Sequence, residues 1–192
     1  DTIWLDAGTY GGDTWEMISA TETAGVNINK DSIALIGKDS NATVIDPPGP
    51  NSQAGLYGVY ADTQTGLLVK NIGVTGAYDG FVFHNVDKSQ LESDSASCNG
   101  RYGFLLTVGS DRNTLTNNLS ASNSNYGITL QSSSINNTLT GNASVNNSNV
   151  GFYLPSTNDT LTNNMSSGNA SIGYYLFNAS SMILTNNTSK SN

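Results

Sequence analysis

The sequence predicts an all-β, single-domain fold, a parallel β-helix of about seven coils with three short strands in each coil. Two observations support this prediction. A similar segment recurs along the chain every 22 to 24 residues, and apolar and polar residues alternate within it. A helical solenoid is excluded because the apolar period is two, and because the abundant Gly, Asn, Ser and Thr are poor helix formers.

The repeat is indexed on six glycines that each open an apolar strand: Gly58, Gly80, Gly103, Gly127, Gly151 and Gly173. Twelve residues before each of the last five stands a leucine, in the series Leu68, Leu91, Leu115, Leu139 and Leu161, which Leu184 continues. Because only the interval from glycine to leucine varies, insertions are expected in one turn. Residues 58–192 form this regular part of the domain 1–192, and residues 1–57 form irregular N-terminal coils.

Two columns of the repeat are almost purely asparagine. The first lies three residues after the leucines and contains Asn71, Asp94, Asn118, Asn142, Asn164 and Asn187. The second lies five residues further on and contains Gly76, Asn99, Asn123, Asn147, Asn169 and Asn192. Asparagine tolerates the left-handed backbone of a tight corner, and its amide can bond the same amide one coil away. The first column is therefore predicted to be a buried corner ladder.

Composition restricts the partners and the location of the chain. Seven basic residues against fifteen acidic ones give a net charge of −8, which argues against nucleic acid as a partner. Only 11% of the residues are charged, which is typical of a secreted or cell-surface protein. One cysteine, Cys98, and one histidine leave no zinc site, and no cofactor is expected. No apolar run is long enough to span a membrane, and without a signal peptide at Asp1 an exported chain would be a mature or trimmed form.

Three stretches carry a resemblance to a known family. "DTIWLDAGTY", "VNINKDSIALIGKDSNATVID" and the "NTLTNN...YGI" units resemble right-handed parallel β-helix proteins with NosD-type or carbohydrate-binding-and-hydrolysis repeats, over essentially the whole chain. Such proteins are abundant on the surface of methanogenic archaea, so the resemblance implies a surface-layer or sheath protein. The NosD branch is associated with copper delivery. That association transfers poorly to this chain, because it has only one His, one Cys and three scattered Met.

A polysaccharide-cleaving enzyme is the rival class, because lyases, hydrolases and epimerases share this fold. Their chemistry needs paired carboxylates, or carboxylate-bound calcium beside a basic residue. The candidate side chains are Asp79, His84, Asp87, Glu92, Asp94, Arg101 and Asp111. None stands in a recognisable motif, so structural roles are favoured and no catalytic residue is assigned.

A glycan-binding module is the third class, and outward-pointing aromatic side chains would indicate it. Three tyrosines precede indexed glycines and three lie within strands, beside three phenylalanines: Tyr57, Tyr102, Tyr126, Tyr60, Tyr153, Tyr175, Phe81, Phe104 and Phe152. A stacked core is expected to take most of these rings.

The sequence favours a structural subunit of an extracellular layer, sheath or fibre that assembles with itself, head to tail or laterally. A polysaccharide-binding or polysaccharide-cleaving β-helix protein is the alternative. Self-assembly is expected through open strand edges at the two ends of the solenoid. The residues assigned to these ends are Thr2, Ile3, Trp4, Leu5, Leu184, Asn187 and Asn192.

Eleven Asn-x-Ser/Thr sequons occur in the chain. A sequon accepts a glycan only where it is exposed. Those of the corner column are expected to be buried, so the candidates for glycosylation are Asn41, Asn136, Asn158 and Asn178.

Overall fold

The structure, a computed structural model, describes residues 1–11, 16–19, 21–131 and 133–192, without the side chains of Glu16 and Met17. The described residues form 24 strands in three eight-stranded sheets. Each coil of the chain visits the first, the second and then the third sheet, and strands of successive coils pair in parallel. The prediction of an all-β parallel solenoid with three short strands per coil is confirmed.

The first sheet contains β1 (Thr2–Leu5), β5 (Ala34–Gly37), β8 (Leu68–Lys70), β11 (Gln90–Glu92), β14 (Thr114–Thr116), β17 (Thr138–Thr140), β20 (Thr160–Thr162) and β23 (Ile183–Thr185). The second contains β2 (Gly8–Tyr10), β6 (Thr43–Ile45), β9 (Gly73–Thr75), β12 (Ser95–Ser97), β15 (Leu119–Ala121), β18 (Ala143–Val145), β21 (Met165–Ser167) and β24 (Thr188–Lys190). The third contains β3 (Glu16–Met17), β4 (Thr23–Ile28), β7 (Leu56–Asp62), β10 (Asp79–His84), β13 (Phe104–Thr107), β16 (Ile128–Leu130), β19 (Phe152–Tyr153) and β22 (Tyr174–Tyr175). Only the pairing of β3 with β4 is antiparallel among these strands.

The interior is built from columns of like side chains, because the strands of successive coils are in register. One column in the first sheet is fully buried and consists of Leu35, Val69, Leu91, Leu115, Leu139 and Leu161. In the third sheet the rings of Phe81 and Phe104 stack with centroids 4.8 Å apart. Phe152 and Tyr174 stack in the same way at 4.7 Å. Stacked aromatic and aliphatic columns therefore form one continuous core.

The indexed glycines mark a close approach between the third and second sheets. A Cβ atom on Gly127 would lie 2.0 Å from Ser144 Oγ, and one on Gly151 would lie 2.3 Å from Ser166 Oγ. Both serines are fully buried. The glycine column is thus required by space, and from Gly103 onwards a side chain there would overlap the serine column of the second sheet.

The asparagine columns form buried ladders, but the left-handed residue of each corner is the one before the ladder asparagine. Asn117, Gly141 and Asn163 have φ of 55°, 68° and 57°. The asparagines that follow them point their amides inwards to the neighbouring coil. The corner column itself is therefore held by amide hydrogen bonds and is not the left-handed position.

Asn71 does not belong to the ladder. The register pairs Val69 with Leu91, so this coil is displaced by one residue from the leucine index. Asn71 takes the left-handed corner, with φ of 59°, and the backbone N–H of Ile72 donates to Asp94 Oδ1 at 2.9 Å. Gly76 is displaced in the same way: its φ is 73°, and Ala77 donates to Asn99.

A third ladder lies in the turn between the third and first sheets. The backbone N–H of Asn113 donates to Asn137 Oδ1 at 2.8 Å, and that of Asn137 donates to Asp159 Oδ1 at 2.7 Å. This turn was predicted only to vary in length, and its ladder was not predicted from the sequence.

Candidate functional site

Five aromatic side chains cross the outer face of the third sheet as one diagonal row. The row consists of Tyr102, Tyr126, Tyr153, Tyr175 and Phe177, and is called the aromatic track below. Successive ring centroids are 5.4, 4.7, 5.6 and 5.9 Å apart. Exposure increases along the track, from partly buried tyrosines to Phe177, which is 48% exposed.

Strand alternation turns these rings outwards. Phe152 and Tyr174 lie in the interior stack, so the next residues, Tyr153 and Tyr175, face solvent. Tyr102 and Tyr126 precede glycines whose Cβ positions point into the interior, so their rings lie on the opposite side. The six tyrosines that the sequence offered as a sugar platform therefore lie on the outer side of the third sheet, where Tyr60 is buried in a small apolar cluster. Phe81, Phe104 and Phe152 form the core.

Arg101 fixes one end of the track. Its guanidinium carbon lies 4.4 Å from the ring centroid of Tyr102 and 4.7 Å from that of Tyr78. Asp79, which is fully buried, accepts from Nε at 2.9 Å and from Nη2 at 2.5 Å. Desolvation lowers the pKa of Arg101, but the hydrogen bond and the charge of Asp79 outweigh it and leave the pKa above its usual value. The guanidinium is thus an immobilised, neutralised extension of the aromatic surface.

Uncharged polar groups border the track. Asn125 and Asn149 lie at the start of consecutive third-sheet passages, with Nδ2 of Asn149 donating to Oδ1 of Asn125 at 3.1 Å. On the other side, Gln131 Oε1 accepts from the hydroxyl of Thr107. The surface therefore has ring faces in the middle and amides at the edges.

A cleft lies at each end of the track. At the C-terminal end, a pocket of about 420 Å³ is lined by Gln131, Tyr153, Pro155, Thr157, Phe177 and Asn178. At the other end, a cleft of about 320 Å³ is lined by Thr21, Glu22, Ala54, Gly55, Tyr57, Tyr78 and Arg101. The track therefore runs as an open path between two recesses.

A hydrogen-bonded pair of side chains lies on the same face. His84 Nδ1 lies 2.8 Å from Asp62 Oδ1, because the two residues end neighbouring parallel strands in register. Burial raises the pKa of Asp62. This effect is outweighed by the hydrogen bonds from His84 and Thr63 and by the charge of His84, so the pKa lies below its usual value. His84 was a candidate from the sequence and Asp62 was not, although both stand four residues after an indexed glycine.

The remaining acidic candidates are dispersed. Glu92 pairs with Lys70 at 2.7 Å, and Asp87 pairs with Arg112. Asp111 accepts from the backbone of Ile135 at 2.8 Å. Asp94 is buried in the ladder, where desolvation raises its pKa. Of the seven candidates, the structure brings Asp79 to Arg101 and places His84 on the same face.

The residues assigned to assembly lie at the two edges of the solenoid. Thr2, Ile3, Trp4 and Leu5 form β1 at one edge of the first sheet, and Leu184 lies in β23 at the other. Ile3 and Leu184 end the buried leucine column and are 47% and 45% exposed. Asn187 and Asn192 accept from the preceding members of the two corner ladders, Asn164 and Asn169.

The four candidate sequons lie on the surface. Asn41, Asn136, Asn158 and Asn178 are exposed, whereas Asn118, Asn142 and Asn164 in the corner column are buried. Glycosylation itself stays a prediction.

Residues 14–192 match the family described as "Periplasmic copper-binding protein (NosD)". No curated protein matches the chain. The described part of the chain contains no helix that is long and apolar enough to cross a membrane.

Several solved structures are similar in fold. The pectate lyase Pel9A has a TM-score of 0.70 at 21% identity, over 88% of this chain and 46% of the lyase. The alginate lyase from Paenibacillus sp. str. FPU-7 has a TM-score of 0.73 at 16% identity, over 100% of this chain and 70% of the lyase. The Dettilon tailspike protein (gp208) has a TM-score of 0.59 at 16% identity, over 98% of this chain and 54% of the tailspike protein. The chain spans about half the length of the pectate lyase.

The described side chains do not fit a copper site. His84 is held by Asp62 in the third sheet, and Cys98 is an exposed corner residue after a strand of the second sheet. Met165 faces outwards from the second sheet, while Met182 packs against the core. Within the described ranges no group of three His, Cys, Asp or Glu could hold a metal ion. Among the described side chains, the soft ligands that copper prefers are therefore not assembled.

Proposed function

Because the chain belongs to the family described as periplasmic copper-binding protein (NosD) and carries an aromatic track across its coils, we propose that it binds an extended polysaccharide on the outer face of the third sheet. The observation that carries the proposal is the continuous row of five outward rings, each within 5.9 Å of the next. The family description supports a location outside the cytoplasm.

The track suits a sugar chain because both are linear and repetitive. Strands of successive coils lie about 4.8 Å apart, so a ring on each coil presents a new flat apolar face at every step along the solenoid. Sugar rings have an apolar face and a hydroxylated rim. The tyrosine rings would stack on the apolar faces of the sugars, and Asn125, Asn149 and Gln131 would form hydrogen bonds with the hydroxyl groups.

The similar structures support a polysaccharide ligand, since two are described as pectate and alginate lyases. Their identity to this chain is low, and the proposal is one of binding. Hydrolysis uses two carboxyl groups that flank the scissile bond. On this face Asp79 is committed to Arg101 and Asp62 to His84.

Affinity electrophoresis tests the proposal. The protein is run in native gels that contain one soluble polysaccharide each, and retardation in at least one gel is expected. The variant Tyr126→Ala should lose retardation, because it removes the middle of the track. The matched control Tyr10→Ala removes an exposed ring of the second sheet and should be retarded like the wild type. Equal retardation of both variants, or none for the wild type in any gel, would contradict the proposal.

Head-to-tail assembly, as in a sheath or surface layer, is a second candidate. It is favoured by the exposure of Ile3, Trp4 and Leu184, of which Trp4 is 73% exposed. Sedimentation of the wild type beside a Trp4→Lys, Leu184→Lys variant tests it, since assembly predicts large species for the wild type alone. A monomeric wild type at high concentration would exclude this mode of assembly.

A further inference from the structure

We propose that the polysaccharide is uncharged, a polymer of neutral sugars and not a polyuronate. This inference rests on the proposed function and names the ligand class of the same face. It departs from the similar lyases, which are described by the acidic polymers pectate and alginate.

The part of the chain that supplies most of the track has almost no charge. Between residues 113 and 192 the sequence holds two charged residues, Asp159 and Lys190. Asp159 is fully buried in the third ladder. Lys190 lies in β24 of the second sheet, away from the track. Four of the five track rings, Tyr126 to Phe177, therefore lie on coils that offer no cation to a ligand.

The two arginines that precede this segment are already paired. Arg101 is neutralised by Asp79 through two hydrogen bonds. At the corner after the third sheet, Arg112 is neutralised by Asp87. A polyuronate carries one carboxylate on every sugar. Each carboxylate that is desolvated on binding needs a positively charged side chain or a metal ion as its partner. These residues cannot supply such partners along the track.

The overall field opposes a polyanion as well. The chain carries a net charge of −8, and Asp62 lies on the same face. Like charge lowers both the encounter rate and the affinity of a charged ligand at low salt. A neutral polymer pays no such penalty and can use the ring faces and amides directly.

Isothermal titration calorimetry distinguishes the ligand classes. The wild-type protein is titrated with cello- and manno-hexaoses as neutral probes, and with oligogalacturonate and oligomannuronate of the same length, at 20 mM and 300 mM NaCl. Binding of a neutral probe with an affinity that is unchanged by salt is expected, together with no binding of the uronates. Tyr153→Ala should weaken the neutral interaction about ten-fold, whereas Tyr10→Ala should not change it. Thermal melts of both variants check that they fold.

The outcomes separate the two levels of the proposal. Tight binding of a uronate that weakens at 300 mM salt would overturn the neutral assignment and leave polysaccharide binding standing. Binding of no probe in calorimetry, with no retardation in any gel, would overturn both. Binding of a neutral probe that is indifferent to Tyr153→Ala would also overturn the inference, because the sugar would then lie elsewhere.

Discussion

The amide of Asn142 receives two hydrogen bonds from Asn118, one coil earlier: its Oδ1 accepts the backbone N–H at 2.9 Å and the side-chain Nδ2 at 3.0 Å. The Nδ2 of Asn142 donates in turn to the carbonyl of Leu115 at 2.8 Å. Each ladder amide thus satisfies two buried backbone groups of the preceding coil. This explains why a fold with little charge and few apolar residues is rich in asparagine.

Asn142→Leu is expected to lower the free energy of unfolding by about 1–3 kcal/mol, because it leaves buried N–H and C=O groups of Asn118 and Leu115 unpaired. Urea unfolding gives the change. Asn41→Leu is the control, since Asn41 is exposed and its side chain makes no such bonds. Equal midpoints for the two variants would remove the energetic role assigned to the ladder.

Asp159→Asn should stabilise the protein at alkaline pH and not at acid pH. Burial raises the pKa of Asp159 from 3.8 to about 6. Hydrogen bonds, including one from the backbone N–H of Asn137, lower the pKa but do not outweigh burial. The folded state therefore favours the protonated acid. Stability from this group is fully present below about pH 4 and is lost as the pH rises through about 6.

Urea unfolding of the wild type and the variant at pH 4, 6 and 8 measures this effect. The stability difference in favour of Asp159→Asn should grow with pH, because the asparagine stays neutral and can complete the third ladder. A difference that is constant with pH would mean that Asp159 titrates normally.

Gly127→Ala should destabilise the fold by about 1–3 kcal/mol through overpacking. The added Cβ would lie 2.0 Å from Ser144 Oγ and 2.7 Å from the carbonyl oxygen of Gly151, and this backbone atom cannot swing aside. At Gly8 the nearest atom to an added Cβ is 4.0 Å away, so Gly8→Ala should be neutral. Thermal melts that rank the two variants equally would disprove the close approach of the sheets.

Arg101→Met should lower the free energy of unfolding by about 2–3 kcal/mol, because it strands the buried carboxylate of Asp79. The loss is below that of a fully buried pair, since the Arg101 side chain is 34% exposed. Adding Asp79→Asn to the variant removes the stranded charge and should restore part of the stability. A double variant that is less stable than Arg101→Met would contradict this explanation.

Periodicity predicted the fold because one register repeats through most of the chain. It failed for Asn71 because this coil is displaced by one residue from the leucine index. The buried residue there is Val69 and not Leu68, which the periodicity alone does not reveal. The third ladder was missed because it mixes Ser89, Asn113, Asn137 and Asp159, and so is not a column of one residue type.

The site was only partly predictable. The tyrosines were recognised as a possible platform, but strict alternation does not predict their direction, because a glycine and the residue after it, such as Gly127 and Ile128, both face the interior. The pair of Asp62 and His84 joins residues one coil apart, and it can be found by comparing equivalent positions of consecutive repeats. The diagonal course of the track depends on side-chain placement, which no linear pattern encodes.

A crystal structure of the protein with a hexasaccharide of the polymer that retards it in native gels is the sharpest test of polysaccharide binding on the aromatic track. Sugar rings are expected to stack along Tyr102, Tyr126 and Tyr153, with hydroxyl groups bonded to Asn125, Asn149 or Gln131. An oligosaccharide bound to the first or second sheet, with the track bare, would contradict it.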